Sequence, residues 1–72
     1  SFNPVVRCSY DPKKDFEESM VEMILHEKHL MHRPHDMLEL LQCYLILNSK
    51  DCHDLIVRVF TQVWLELLNE HG

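Results

Sequence analysis

The chain has 72 residues, 46% of them apolar, and a formal net charge of −5 with histidine counted neutral. That length makes one small domain, the apolar fraction excludes a disordered tail, and one glycine with three prolines excludes a collagen-like or linker segment. The longest uninterrupted apolar run, Cys43 to Leu47, falls far short of the roughly 18 residues a membrane-spanning helix needs. Seven scattered Lys and Arg against twelve Asp and Glu argue against nucleic-acid binding by this chain alone.

The chain opens at Ser1 with no Met and shows no charged-then-apolar leader, so it is expected to be a domain cut from a longer protein, with any localisation signal outside it. Cys8, Cys43 and Cys52 are odd in number and irregular in spacing, so a reducing compartment is expected. A domain this short is marginally stable. A partner is expected to complete the fold, and a homodimer is one way to supply it.

Residues 1–10 read as an extended arm. Pro4 and the β-branched pair Val5-Val6 disfavour helix. The arm is either a strap lying on the domain or an edge for a partner strand. The first helix is expected over 12–31, capped by Asp11 with Pro12 at its first position. Phe16, Met20, Met23, Ile24 and Met31 recur at helical spacings as its apolar stripe. Glu27 interrupts that stripe, which requires a tilt of the helix or a basic partner.

A second helix is expected over 37–48, opened by Asp36-Met37-Leu38-Glu39 as a capping box. Its apolar residues run from Met37 to Leu47 and cover most of the circumference. That pattern predicts a helix buried on several sides, the central element of the domain. A third helix, over 50–69, is capped by Ser49, with Asp51 favoured by the helix dipole. Cys52, Leu55, Ile56, Val59, Phe60, Val63 and Leu67 form its core stripe, and Val57, Trp64 and Leu68 a second row. The fold class is therefore all-α, a small three-helix bundle over 11–70 with an extended N-terminal arm.

Four histidines repeat every third residue, His26, His29, His32 and His35. A pair at that spacing on a helix can share a metal ion, and histidine titrates near neutral pH. This makes a metal-binding or pH-sensing module the alternative reading, against a solvated histidine-rich surface. No spacing matches a zinc motif, and neither a metal nor another cofactor is expected. Catalysis has less support. Cys43 and Cys52 fall on apolar stripes, where cysteine is an inert core residue. Cys52 and His53 are adjacent on a helix and so point about 100° apart. The only glycine is Gly72, which leaves no phosphate loop. A non-enzyme is expected.

Asp11, Asp15, Glu18 and Glu22 line one side of the first helix. They read either as ordinary surface charge or as a docking face for a basic partner. Trp64 is either core or an interaction hot spot.

Three blocks in series resemble a known family. Asp11-Pro12, Asp15-Phe16, Ser19-Met20 and Glu22-Met23-Ile24 are similar to the opening of the OVATE domain. Leu40 to Leu45 with Leu47-Asn48-Ser49 resembles its middle block, and His53, Ile56-Val57-Arg58, Phe60 and Trp64 its last. The resemblance spans about residues 5–67. Most motif residues are explicable as caps and core, but Asp15, Ser19, Glu22, His53 and Arg58 are polar and packing does not demand them.

The resemblance implies a protein-interaction domain of a plant transcriptional repressor that shapes growth and organs. It implies a nuclear location with a cytoplasmic or microtubule-associated pool. The implied partners are homeodomain proteins of the three-amino-acid-loop-extension class and TONNEAU-recruiting-motif proteins. The alternating-leucine repression motif of the family is not found in this chain. The expected partner-binding residues are Asp11, Asp15, Glu18, Glu22, Arg58 and Trp64.

Overall fold

Three α-helices make up most of the described residues, Pro4 and 10–71, of the computed structural model. They are α1 (Pro12–His26), α2 (Pro34–Leu47) and α3 (His53–His71). Two short 3-10 turns, Lys28–His32 and Lys50–Cys52, connect them, and the described residues contain no strand. The all-α three-helix expectation holds. The proposed arm, including Val5-Val6 and Cys8, lies outside the described residues apart from Pro4 and Tyr10.

The start of α1 follows the sequence closely. The Asp11 side chain accepts a hydrogen bond from the Lys14 backbone N–H at 3.1 Å, and Pro12 occupies the first turn. This satisfies one of the donors that every helix N-terminus leaves open. The end of α1 comes earlier than the stripe predicts, at His26 instead of Met31. Glu27 leaves the helix at φ −130° and ψ 80°, with its N–H bonded to the Ile24 carbonyl at 3.2 Å. Continuing the helix would have carried the Glu27 carboxylate along the apolar stripe, where an unpaired charge is costly. The break keeps Glu27 exposed, and the 3-10 turn still delivers Met31 into the core.

α2 also departs from expectation at its start. It begins at Pro34, not after Asp36, and no side chain caps it. The Asp36–Glu39 capping box does not form. Proline is preorganised for the first helical position and sets the start there. Asp36 then falls inside the first turn, where Arg33 Nε reaches its Oδ2 at 2.8 Å. Ser49 caps as predicted, its hydroxyl accepting from the Asp51 N–H at 3.3 Å. It caps the 3-10 turn, however, and α3 proper begins at His53.

The central element is α3, not α2. Of eleven buried hydrophobic residues among those described, five lie on α3: Ile56, Val59, Phe60, Val63 and Leu67. α1 contributes Phe16, Met20 and Ile24, whereas α2 buries only Met37 and Tyr44. α3 packs against both other helices, which meet each other only sparsely. Cys43 is exposed, contrary to its reading as core, while Cys52 is half-buried against the core. An apolar circumference does not place a helix at the centre when the chain is too short to wrap it.

Polar ties fix the helices to one another. The His53 ring places Nε2 at 2.6 Å from the Leu45 carbonyl and 3.3 Å from that of Asn48. With its proton on Nε2, His53 donates to the C-terminal end of α2 and so joins the start of α3 to it. Asn48 Nδ2 donates to the Tyr44 carbonyl at 2.8 Å and to the Pro4 carbonyl at 2.9 Å. Trp64 Nε1 donates to the Met31 carbonyl at 2.9 Å, holding the first turn against α3. Replacing His53 with Leu should destabilise the domain by about 1–3 kcal/mol, because part-buried carbonyls lose their donor. Urea unfolding of the two chains measures this, and equal midpoints would assign the ring no role in the fold.

Candidate partner-docking surface

α1 presents its buried stripe to α3 and leaves the opposite side to solvent. Glu17, Glu18, Val21 and Glu22 fall on that outer side because their spacings of three and four place them on adjacent turns. They line a shallow groove of about 410 Å³. Val21 is half-buried and gives the groove an apolar floor, and the three carboxylates form its rim. Two of them have nearby lysines: Lys13 lies 3.3 Å from Glu17 and Lys14 lies 3.9 Å from Glu18. Both pairs are exposed, and such pairs hold little energy in water. A partner cation can therefore displace either lysine at small cost.

The six candidate residues do not form one site. Glu18 and Glu22 share the groove. Asp11 sits at the cap of α1 with its carboxylate engaged by the Lys14 N–H. Asp15 is half-buried on the first turn. Arg58 is exposed on α3, and neither it nor Trp64 lines the groove. Trp64 is half-buried, stacks edge-on against Phe60 with ring centroids 6.2 Å apart, and spends its N–H on Met31. Sequence reasoning missed Val21. Its position between Glu17, Glu18 and Glu22 on the helix surface was the available signal.

The structure accounts for two of the unexplained polar motif residues. His53 ties α2 to α3, as above. Ser19 Oγ lies 2.7 Å from the Tyr44 hydroxyl and bridges α1 to α2 across the edge of the core. Tyr44 is fully buried and stacks at a tilt against Phe60. Burial pushes its hydroxyl pKa above the ordinary 10.0; the Ser19 hydrogen bond opposes this, and the negative charge of Glu22 adds to it. Glu22 thus stands close enough to the core to be felt by Tyr44 while facing solvent at the groove.

The histidine repeat does not converge. Among the described residues no group of three or more His, Cys, Asp or Glu side chains is placed to hold a metal ion. His29 lies 3.8 Å from Glu27 and His35 3.3 Å from Glu39, each an exposed local pair. The metal-binding alternative gains no support from this geometry.

Comparison with known proteins supplies the class of this small helical domain. The family model described as "Transcriptional repressor, ovate" matches residues 9–68. Over 63 residues the chain is 51% identical to "Transcription repressor OFP3" of Arabidopsis thaliana, covering 88% of this chain and 21% of that protein. It is 54% identical over 59 residues to "Transcription repressor OFP5" of the same plant, covering 82% of the chain and 16% of the relative. It is also 38% identical over 56 residues to "Transcription repressor OFP8" of Oryza sativa subsp. japonica, covering 78% and 24%. No solved structure matches it significantly. The chain belongs to the Ovate family, and it spans about a fifth of the length of these relatives.

Ser19 and Tyr44 give a test of the bridge between α1 and α2. Ser19→Ala strands a buried hydroxyl and should cost about 1–3 kcal/mol, whereas adding Tyr44→Phe to it should recover part of the loss. Because burial raises the folded pKa of Tyr44 above 10.0, the stability that depends on its uncharged phenol is complete below pH 10.0 and is lost as pH rises through the higher folded pKa. Tyr44→Phe should remove this alkaline loss. Thermal melts of the three variants from neutral to alkaline pH measure both effects.

Proposed function

We propose that this chain is the partner-docking domain of a transcription repressor. It grips a basic amphipathic helix or peptide along the outer side of α1. The observation that carries the reading is the groove with Val21 as its floor and Glu17, Glu18 and Glu22 as its rim. An apolar floor inside an anionic rim fits an apolar side chain flanked by Lys or Arg. Complementary charge of this kind speeds encounter and fixes register, while the apolar contact slows release.

The names of the relatives place them in transcriptional repression, which supports a nuclear site of action. Homeodomain proteins of the three-amino-acid-loop-extension class and TONNEAU-recruiting-motif proteins are the partners the family resemblance implies. A cytoplasmic or microtubule-associated pool follows from the second class. In this reading the domain selects the partner, and silencing belongs to the longer protein. Asp11 and Asp15 extend the negative field toward the start of α1, and Arg58 and Trp64 fall outside the contact.

Calorimetric titration with basic peptides from both partner classes tests the proposal. Binding of one class should weaken as salt rises, in keeping with exposed charge pairs. The double variant Glu18→Lys with Glu22→Lys should raise Kd about tenfold or more by placing like charges across the contact. Its circular dichroism should be unchanged, since both side chains are exposed. Unchanged affinity in the double variant would reject the groove as the contact.

A further inference from the structure

The acidic groove on α1 is not evenly acidic. Its neighbourhood falls in two rows of four-residue spacing, Lys13, Glu17 and Val21 in one and Lys14, Glu18 and Glu22 in the other. A lysine stands at the N-terminal end of each row, Lys13 at 3.3 Å from Glu17 and Lys14 at 3.9 Å from Glu18. Glu22, at the opposite end, makes no ion pair among the described residues. Two ammonium groups against three carboxylates leave one negative charge, and it stands at Glu22 beside Val21. That charge is felt as far as the buried Tyr44 hydroxyl.

Helix stability does not explain the two lysines. They occupy the first turn of α1, directly after Pro12, where the helix dipole disfavours cations. Each also precedes its glutamate, the weaker of the two orders for a pair four residues apart. Both pairs are exposed and hold little energy. The reverse order, with glutamates first, would serve the helix better. What the observed order does produce is a groove with one neutral end and one anionic end.

We propose that Lys13 and Lys14 set the specificity of this groove: they bar cations from its N-terminal end, so that it takes a segment whose basic residues lie on one side only of an apolar anchor. The inference rests on the docking role of the groove and adds the arrangement of charge its partner must carry.

With the anchor on Val21, a basic residue on one side meets Glu22. A basic residue on the other side meets Glu17 or Glu18, each already beside an ammonium group. It can displace that lysine from its carboxylate. The displaced ammonium group, tethered to the same turn, stays within the about 8 Å over which charges act at physiological salt. Its repulsion offsets the new attraction. A segment basic on both sides therefore gains nothing here over a segment basic on one side. A repulsive element of this kind keeps a charged surface selective.

Calorimetric titration with two helical peptides at about pH 8, which sets histidine charge aside, tests the proposal. Both peptides carry a central Leu; one has Arg on one side and Gln on the other, and the second has Arg on both. On the parent chain the added arginines should lower Kd less than about twofold. On the variant Lys13→Gln with Lys14→Gln they should lower it about tenfold or more, because like charges no longer meet across the contact. Lys28→Gln with Lys50→Gln removes the same charge from exposed positions outside the groove and should behave as the parent does. The groove variant should melt no lower than the parent, since its first turn loses two cations.

A parent chain that gains about tenfold from the second set of arginines would overturn the proposal. So would a control variant that gains as much as the groove variant, since overall charge would then decide. A groove variant that melts lower would assign the lysines to the fold instead. A groove variant that discriminates like the parent rejects the role of the lysines alone, whereas unchanged Kd values for Glu18→Lys with Glu22→Lys reject the groove itself and the proposal with it.

Discussion

The apolar stripe of α3 is the constraint on which the remainder of the structure depends. Ile56, Val59, Phe60, Val63 and Leu67 form a single wall, and α1 and α2 both lean on it. In a chain of 72 residues there is too little apolar surface for three mutually buried helices. One shared wall with two covering helices uses the available side chains most fully. Because α1 and α2 touch each other sparsely, polar bonds complete the assembly: Ser19 with Tyr44, His53 with the end of α2, and Trp64 with Met31. Each supplies direction where apolar contact alone would permit sliding.

This layout separates two kinds of surface. α1 gives its stripe to the wall and keeps carboxylates on its outer side. α2 gives the wall only Met37 and Tyr44 and keeps an uncharged row outside. The two surfaces therefore differ in chemistry as well as in place. In the proposed reading the acidic side of α1 binds by opposite charge and weakens with salt, a dependence that the uncharged row of α2 does not share.

Much of the fold was legible in the sequence because its signals are local. Asp11 followed by Pro12 announced α1, Ser49 announced the approach to α3, and the spacing of Ile56, Val59, Phe60, Val63 and Leu67 gave the core stripe. The misreadings came where tertiary context decides. Glu27 ends α1 because the core has no place for its carboxylate, whereas the periodicity of Met23, Ile24 and Met31 ran straight through it. Asp36 and Glu39 spelled a capping box, but Pro34 had already started α2. The apolar circumference of α2 implied burial, and only the packing shows that Leu38, Cys43 and Ile46 face outward. At the candidate site, Glu18 and Glu22 were readable from their four-residue spacing. The partners of Ser19 and His53 were not, since Ser19 meets a residue 25 positions away and His53 meets backbone atoms.

The indole of Trp64 has a consequence of its own. It is the only tryptophan in the chain, and it sits where α3, the ring of Phe60 and the turn before α2 come together. The fold thus carries a single built-in optical probe at the joint between its covering helices. Ultraviolet emission from this chain reads the detachment of the Lys28–His32 turn directly, as loss of the bond to Met31 exposes the ring to water. An event confined to the acidic rim of α1 leaves the same emission unchanged, so one fluorophore distinguishes opening of the joint from occupation of the surface.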